Sequence, residues 1–408
     1  MIAAPMLAEA AQARRAGSRT PRRAAFAVAS GLLLLVSLLT PGATLLAAAP
    51  AFDAPTASGS LGTPVQFSST FHSTQQPLRI ELLTQLKDQP GTVLQETGVT
   101  AGPETGTWLA SMTEVGHILP NSTFDYWFQA LLPGGEVVEG PHATFTLSDD
   151  RFKWQSLQGK TVTLHWYQGD QAFAQHALDI GDQAIDQAAQ LLGVETVRPV
   201  DFFIYDAEAP FRDALGPGTR ETVGGQANAD IRTMFGLIEP TDVNSDWVRI
   251  LVTHELTHVV FADAVNNPYH YPPRWLNEGL AVYLSQGYVD SDRAAVADAA
   301  RSGTIIPLDG IAGQFPTTRD RFSLAYAESV SAVDFFINTH GKDTLVRLIQ
   351  SYAGGVTDDE AFTAATGADF GAFDDAWLAA QGAARPDPIG PQSPPPGPVP
   401  SGWSTPAP

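Results

Sequence analysis

Two histidines four residues apart constrain this chain more than any other feature. His254, Glu255 and His258 stand in the order HELTH, and residues at i and i+4 lie on the same face of a helix. The segment from 246 to 264 has no glycine or proline and keeps an apolar helical pattern, so both imidazoles fall inside one long helix. Imidazoles at this spacing, with a glutamate between them, indicate a zinc site in which that glutamate is the general base.

A carboxylate further along the chain is placed to complete such a site. Glu278 follows His258 by twenty residues and lies in a second predicted helix, from 274 to 286. Two imidazoles and one carboxylate leave the fourth position of a tetrahedral zinc ion for water, as in catalytic sites. The chain contains no cysteine, so thiolate ligands and disulfides are excluded. A buried helix with hydrogen-bonded core histidines is the alternative, which Glu278 disfavours.

The sequence resembles the gluzincin zinc metallopeptidases, and within them the bacterial peptidase MA-like family. The resemblance rests on HELTH at 254–258 and on WLNEGLAVY at 275–283, and it covers roughly residues 160 to 385. It implies an α+β catalytic domain with a mixed sheet over helices. It further implies a site in which His254, His258 and Glu278 bind Zn²⁺ and Glu255 is the catalytic base.

The resemblance also suggests residues around the metal. Asn277 matches a family residue that hydrogen-bonds a zinc-bound histidine. Val282 is a departure, because thermolysin-like members carry an aspartate there and the partner of His254 is left open. Tyr326 occupies the place in order where related enzymes bring a tyrosine toward the site, so it is a candidate oxyanion donor; a core aromatic is the alternative. Glu328, two residues later, is predicted to be solvated; a position next to the metal ligands is the alternative.

The segment from 223 to 231 lies where family members place the edge strand of the sheet. An open strand edge offers N–H and C=O groups to an extended peptide, which predicts Gly225, Ala227 and Asn228 as substrate-binding residues. An ordinary glycine-rich hairpin fits the same residues. The motif glycine-x-methionine-glutamate-asparagine, with which related zinc aminopeptidases hold a free N-terminus, is absent. Its absence favours an endopeptidase.

The first 49 residues are typical of an export signal. Five arginines precede an uncharged apolar run from 24 to 39, and AAA at 47–49 provides small residues for signal peptidase. The protein is therefore predicted to be secreted or at the cell surface, without stable membrane insertion after cleavage; an uncleaved segment would be a membrane anchor. Removing the segment's net +4 takes the formal charge from −21 to −25. Such acidity argues against nucleic acid as a partner, although solubility alone also explains it.

The remaining chain divides by pattern. Residues 50–150 contain short alternating segments at 64–71, 78–83, 107–112, 123–130 and 143–147, which predict an immunoglobulin-like or fibronectin-like β-sandwich. Residues 151–385 predict the metallopeptidase domain, with strands at 161–167 and 200–205, a helix at 171–192 and further helices at 292–301, 322–340, 342–353 and 370–381. Residues 386–408 are rich in proline and predict a disordered tail.

The sequence thus predicts a secreted zinc endopeptidase that acts on peptide or protein substrates. Two alternatives remain open. One is a catalytically inactive metallopeptidase homologue whose sandwich binds a surface polymer, and the other is a zinc hydrolase that acts on a non-peptide amide.

Overall fold

The computed structural model describes residues 49–217 and 224–386. The predicted signal segment, apart from Ala49, and the predicted tail, apart from Pro386, lie outside the described residues. No helix within the described ranges combines the length and the apolar character that a membrane crossing requires.

Two antiparallel five-stranded sheets lie between residues 51 and 146 and face each other as a β-sandwich. Their strands are Ala51–Phe52 (β1), Thr56–Ser58 (β2), Val65–His72 (β3), Arg79–Leu86 (β4), Val93–Glu96 (β5), Gly98–Ala101 (β6), Thr107–Glu114 (β7), Thr123–Leu131 (β8), Val137–Glu139 (β9) and Ala143–Thr146 (β10). One sheet has the order β1-β3-β7-β6 and the other β10-β8-β4-β5. These orders match the A-B-E-D and G-F-C arrangement of immunoglobulin domains, so the predicted sandwich is confirmed.

The sandwich forms because apolar residues alternate along its long strands. In β3, Val65, Phe67 and Phe71 point inward together with the small Ser69, while Gln66 and Ser68 are exposed on the other face. They pack against Ile80 and Phe128 of the opposite sheet in one apolar cluster. The five predicted strands are present, and the short strands β1, β2, β5, β6 and β9 are additional.

A third sheet, which is mixed, follows as predicted. Its strands are Gln155–Gln158 (β11), Val162–Trp166 (β12), Val200–Tyr205 (β13), Gly225–Asn228 (β14) and Thr233–Leu237 (β15), in the order β11-β12-β13-β15-β14. The three central strands are parallel, and the two outer ones are antiparallel to their neighbours. Strand β14 is therefore an edge of the sheet.

Nine α-helices accompany this sheet in the described residues. They are Gln171–Leu192 (α1), Glu208–Leu215 (α2), Asp246–Val265 (α3), Arg274–Ser285 (α4), Asp290–Ser302 (α5), Arg319–His340 (α6), Lys342–Ser351 (α7), Asp358–Thr366 (α8) and Phe370–Ala380 (α9). One apolar cluster joins α1, α3 and the inner side of the sheet to the later helices. The helix that carries the two histidines therefore lies in the core beneath the sheet, in the α+β arrangement that the sequence predicted.

The sandwich packs on the outer side of the mixed sheet. Leu61 and Leu119 of the sandwich belong to the same apolar cluster as Phe203 and Phe235 of the sheet. Polar contacts border this cluster: the side-chain amide of Asn121 donates to Asp201 Oδ2 and Thr233 Oγ1 at 3.1 and 2.8 Å. The amide of Gln89, in the turn after β4, donates to the carbonyl of Asp230 at the tip of the β14–β15 hairpin. The sandwich thus reaches the end of the edge strand.

Candidate metal centre

Helix α3 has one buried face and one partly exposed face, and the two histidines lie on the partly exposed face. Val252, Leu256 and Val259 are fully buried against the core, whereas His254 and His258 are half-buried on the other face. The helix ends at Asn266, which takes the left-handed conformation that closes a helix and donates its N–H to Ala262 O. Because the buried residues anchor one face, the two imidazoles project together from the other.

Helix α4 brings the carboxylate to this face. A Cβ atom on Gly279 would lie 2.3 Å from the carbonyl oxygen of Ser329 on α6, so the glycine lets α4 and α6 pack in close contact. Glu278 precedes that contact directly and is 8% exposed. The close approach of the two helices therefore fixes the backbone from which Glu278 projects.

The three side chains form a compact donor set. Nε2 of His254 lies 3.3 Å from Nε2 of His258, and Oε2 of Glu278 lies 3.5 and 3.6 Å from these two atoms. Donors on a tetrahedral zinc ion with bonds of about 2.0–2.2 Å lie about 3.3–3.6 Å apart. Oε2 of Glu278 is buried and has no hydrogen-bond partner among the described residues. Among the described residues, this cluster is the candidate metal centre. Its donor types and the separations between its donor atoms fit zinc.

The chemistry of each donor is set by its neighbours. Nδ1 of His258 lies 2.9 Å from Oδ1 of Asn277, and the neutral tautomer that donates to this oxygen has its lone pair on Nε2, where it can bind a metal. Burial favours the neutral form of Glu278, but its interactions with His254, His258 and Arg274 outweigh burial and lower its pKa to about 2. The carboxylate is therefore ionised at neutral pH.

Charges also act on His254. Burial opposes its protonation, but Glu278 and Glu255 outweigh burial and raise the pKa of the imidazole. Val282, where thermolysin-like members have an aspartate, is buried and offers no side-chain acceptor. Val282 therefore supplies no partner for Nδ1 of His254.

Glu255 faces the edge strand. Its Oε2 accepts a hydrogen bond from the backbone N–H of Ala227 at 2.9 Å. A Cβ atom on Gly225 would lie 3.0 Å from Leu251 Cδ1 and 3.2 Å from Glu255 Cγ, so this glycine allows β14 to lie close against α3. The glutamate between the histidines is thereby held beside the donor cluster.

The backbone of β14 has one free side. Leu237 N donates to Gly224 O, and along an antiparallel pair hydrogen-bonded and non-hydrogen-bonded residues alternate. Gly225 and Ala227 therefore turn their N–H and C=O groups away from β15, toward α3 and the open edge. Asn228 turns its own toward β15, and its side chain accepts from Asp230 N and Ile231 N within the hairpin turn.

Tyr326 lies next to the donor cluster on α6. Its ring centroid is 6.1 Å from that of His254, and the rings of Phe315 and Phe322 pack against it edge-on at 5.2 and 5.1 Å. Burial, followed by the charge of Glu278, raises its pKa. The phenol therefore keeps its proton at neutral pH and is a hydrogen-bond donor.

The prediction that Glu328 is solvated is wrong. Its side chain is fully buried, Oε1 accepts from Ile306 N at 2.9 Å, and Oε2 has no partner among the described residues. Burial raises the pKa of this carboxyl to about 8. Glu328 is therefore protonated at neutral pH and holds the segment that follows α5 against α6.

Glu328→Gln should change the pH dependence of stability. Because the folded-state pKa of about 8 exceeds the ordinary 4.5, the contribution of Glu328 is complete below pH 4.5 and is lost as pH rises through 8. At about 1.4 kcal/mol per pKa unit, the loss amounts to a few kcal/mol. The glutamine variant lacks this ionisation and should exceed the wild type in unfolding free energy above pH 8, but not near pH 5. Urea unfolding at the two pH values measures the unfolding free energies of the variant and the wild type. An equal difference between the two proteins at both pH values would contradict the prediction.

An HExxH helix joined to a glutamate of the next helix defines a gluzincin-like peptidase site. Residues 180–382 match the family model of the Peptidase MA superfamily, and this part of the chain belongs to that superfamily of metallopeptidases. The predicted family is confirmed. No curated protein matches the chain.

Solved structures similar to the chain include two peptidases. An M1 zinc metallopeptidase from Deinococcus radiodurans is 13% identical, with 83% of this chain and 94% of that chain covered and a TM-score of 0.40. An aminopeptidase N family protein from Idiomarina loihiensis is 10% identical, with 75% and 70% covered and a TM-score of 0.38. At such scores the assignment to the superfamily rests on the family model.

Proposed function

We propose that this protein is a zinc-dependent peptidase in which His254, His258 and Glu278 hold the ion. The observation that carries the proposal is the set of separations between their donor atoms, 3.3, 3.5 and 3.6 Å. Zn²⁺ bound by this set would act as a Lewis acid and lower the pKa of a bound water. No other residues are needed to bind it.

The remaining chemistry falls to two side chains. Glu255 would accept a proton from the attacking water and return it to the leaving amine. The hydrogen bond from Ala227 N occupies Oε2, so Oε1 is the oxygen available to the water. Tyr326, a phenol with a raised pKa beside His254, would donate a hydrogen bond to the developing oxyanion.

The substrate would bind as an added strand. Gly225 offers its N–H and C=O groups on the free side of β14 and Ala227 its C=O, because Ala227 N already donates to Glu255. The small size of both residues allows another backbone to come close. Asn228 would contribute by shaping the hairpin turn rather than by direct contact. This arrangement recognises an extended main chain and suits peptides of varied sequence.

We further propose that the enzyme is an exported endopeptidase. The absence of the glycine-x-methionine-glutamate-asparagine motif supports internal cleavage, and the arginine-rich apolar segment before residue 50 supports export. Cleavage of a peptide with an acetylated N-terminus tests the first point, because an aminopeptidase requires a free amine. N-terminal sequencing of protein recovered from the culture medium tests the second, and an intact signal segment would contradict it.

Metal removal should abolish activity reversibly. The purified protein is expected to contain about one zinc ion per chain and to cleave an unfolded protein such as casein. Stripping with 1,10-phenanthroline should remove both zinc and cleavage, and stoichiometric Zn²⁺ should restore cleavage. Elemental analysis and gel-based cleavage assays measure the two quantities. Zinc without cleavage of peptides or other amides would support the inactive-homologue alternative, and cleavage that persists without metal would exclude the proposed chemistry.

A further inference from the structure

The two oxygens of Glu278 have different surroundings. Oε2 faces the two histidines and has no hydrogen-bond partner among the described residues, whereas Oε1 accepts two hydrogen bonds from Arg274. The donors are Nε at 3.2 Å and Nη2 at 3.1 Å. Arg274 thus binds one carboxylate oxygen with two N–H groups and leaves the other to the donor cluster.

The position of Arg274 is unfavourable for the helix itself. Arg274 is the first residue of α4, and the first turn of this helix has no acidic residue. A cation near a helix N-terminus faces the positive end of the helix dipole, and a basic residue four positions before an acidic one is the weaker order for a pair within a helix. Helix stability therefore does not explain an arginine here.

Other contacts keep the guanidinium in place. The backbone N–H of Arg274 donates to Ala312 O at 2.6 Å, and its Cζ lies 4.8 Å from the ring centroid of Phe315. Phe315 is 4% exposed and packs edge-on against Tyr326. The same ring thus supports both the guanidinium that binds Glu278 and the tyrosine beside His254.

We propose that Arg274 is a positioning residue for Glu278: it retains Oε1 and so presents only Oε2 to His254 and His258. A free carboxylate binds metals through one oxygen or through both. Retention of Oε1 holds Glu278 to one-oxygen ligation and keeps open the position that water requires. The inference rests on the proposed function, because it concerns a residue that acts through a zinc ligand.

The planar guanidinium is suited to this task. Two of its N–H groups converge on one oxygen while its face lies on an aromatic ring, and a lysine ammonium provides neither the plane nor the fixed directions. Arg274→Lys should therefore retain only part of the effect. Arg274→Met keeps an apolar stem against Phe315 and removes every donor.

Zinc affinity, measured by competition with a chromophoric chelator on stripped and reloaded protein, tests the proposal. Arg274→Met is expected to raise the dissociation constant of Zn²⁺ by about 10- to 100-fold, as for other residues that orient metal ligands, and Arg274→Lys by less. In a Glu278→Gln background, Arg274→Met should change the dissociation constant of Zn²⁺ by no more than about twofold, because the carboxylate through which Arg274 acts is gone. Arg293→Met is the matched control, since Arg293 also lies over an aromatic ring, that of Tyr288, but on α5.

Three outcomes would overturn the proposal. The first is an Arg274→Met affinity within about twofold of the wild type, and the second is an equal loss in the Glu278→Gln background. The third is full wild-type affinity in Arg274→Lys, which decides the matter if the methionine variant does not fold. A wild type that binds no zinc would remove the proposed function together with this inference, whereas a zinc-binding wild type with an unaffected Arg274→Met variant would remove the inference alone.

Discussion

Glu255→Gln is expected to lower kcat/KM for peptide hydrolysis by about 10²- to 10⁴-fold while the protein keeps its zinc. The amide has the size of the carboxylate and its oxygen still accepts from Ala227 N, but it cannot take a proton from water. The three donor atoms belong to other residues, so metal content should not change. Steady-state kinetics on a fluorogenic peptide, with zinc measured on the same sample, provides the test.

Two further variants calibrate this result. Glu195→Gln makes the same change at an exposed position and should leave kinetics unaltered. Tyr326→Phe removes only the oxyanion donor and should lower kcat by about 10²- to 10³-fold with little effect on KM. Glu255→Gln activity above a tenth of the wild type would exclude Glu255 as the base, and loss of zinc from that variant would assign the residue to the assembly of the site instead.

Gly279→Ala is expected to destabilise the fold by about 3 kcal/mol or more. The added Cβ would meet Ser329 O at 2.3 Å and Ser329 C at 2.6 Å, and these backbone atoms cannot turn aside as a side chain can. Helix α4 would have to move off α6, and Glu278 would move with it. The higher helix propensity of alanine offsets only about 1 kcal/mol of this cost. Urea unfolding gives the stability, and chelator competition gives the accompanying loss of zinc affinity.

Gly181 offers a matched control for this substitution. It is also a buried glycine inside a helix, α1, but a Cβ there would meet Val162 and Leu256 side chains at 3.5 and 3.6 Å, which is ordinary contact. Gly181→Ala should be neutral or stabilising by up to about 1 kcal/mol. Equal stability of the two alanine variants would show that the α4–α6 contact yields easily and would contradict the prediction.

The sequence predicted elements whose signals are local. Helix α1 and strand β13 occur at the predicted residues, because a long amphipathic pattern and a run of alternating apolar residues each specify their own structure. Helix α8 was not predicted, although Thr357 and Glu360 at its start have the sequence pattern of a capping box and form one in the structure. Strands β5 and β9 are short and largely exposed, and only pairing with neighbouring strands makes them β.

In the site, too, residues with a local sequence signal were predicted and residues whose roles depend on tertiary contacts were not. The spacing of the histidines and of the downstream carboxylate predicted His254, His258 and Glu278 as one donor set, and the family resemblance added Asn277 and Tyr326. Neither indicated Arg274, because its role depends on Phe315 and Ala312, which lie some forty residues away along the chain. Glu328 was assigned to solvent for a related reason. A glutamate on a helix is ordinarily exposed, and this one is buried through tertiary contacts such as its hydrogen bond with Ile306 N of another segment.

The apolar cluster between sandwich and sheet bears on how this protein can be divided. A fragment that begins at residue 151 would leave Tyr205 and Phe235, now fully buried, without Leu61 and Leu119 above them. The superfamily match starts later still, at residue 180, which lies inside α1 and after the first two strands of the mixed sheet, β11 and β12. The segment that matches the family model is therefore shorter than the segment that forms the mixed sheet and its helices. A soluble recombinant enzyme should need the chain from about residue 50, sandwich included.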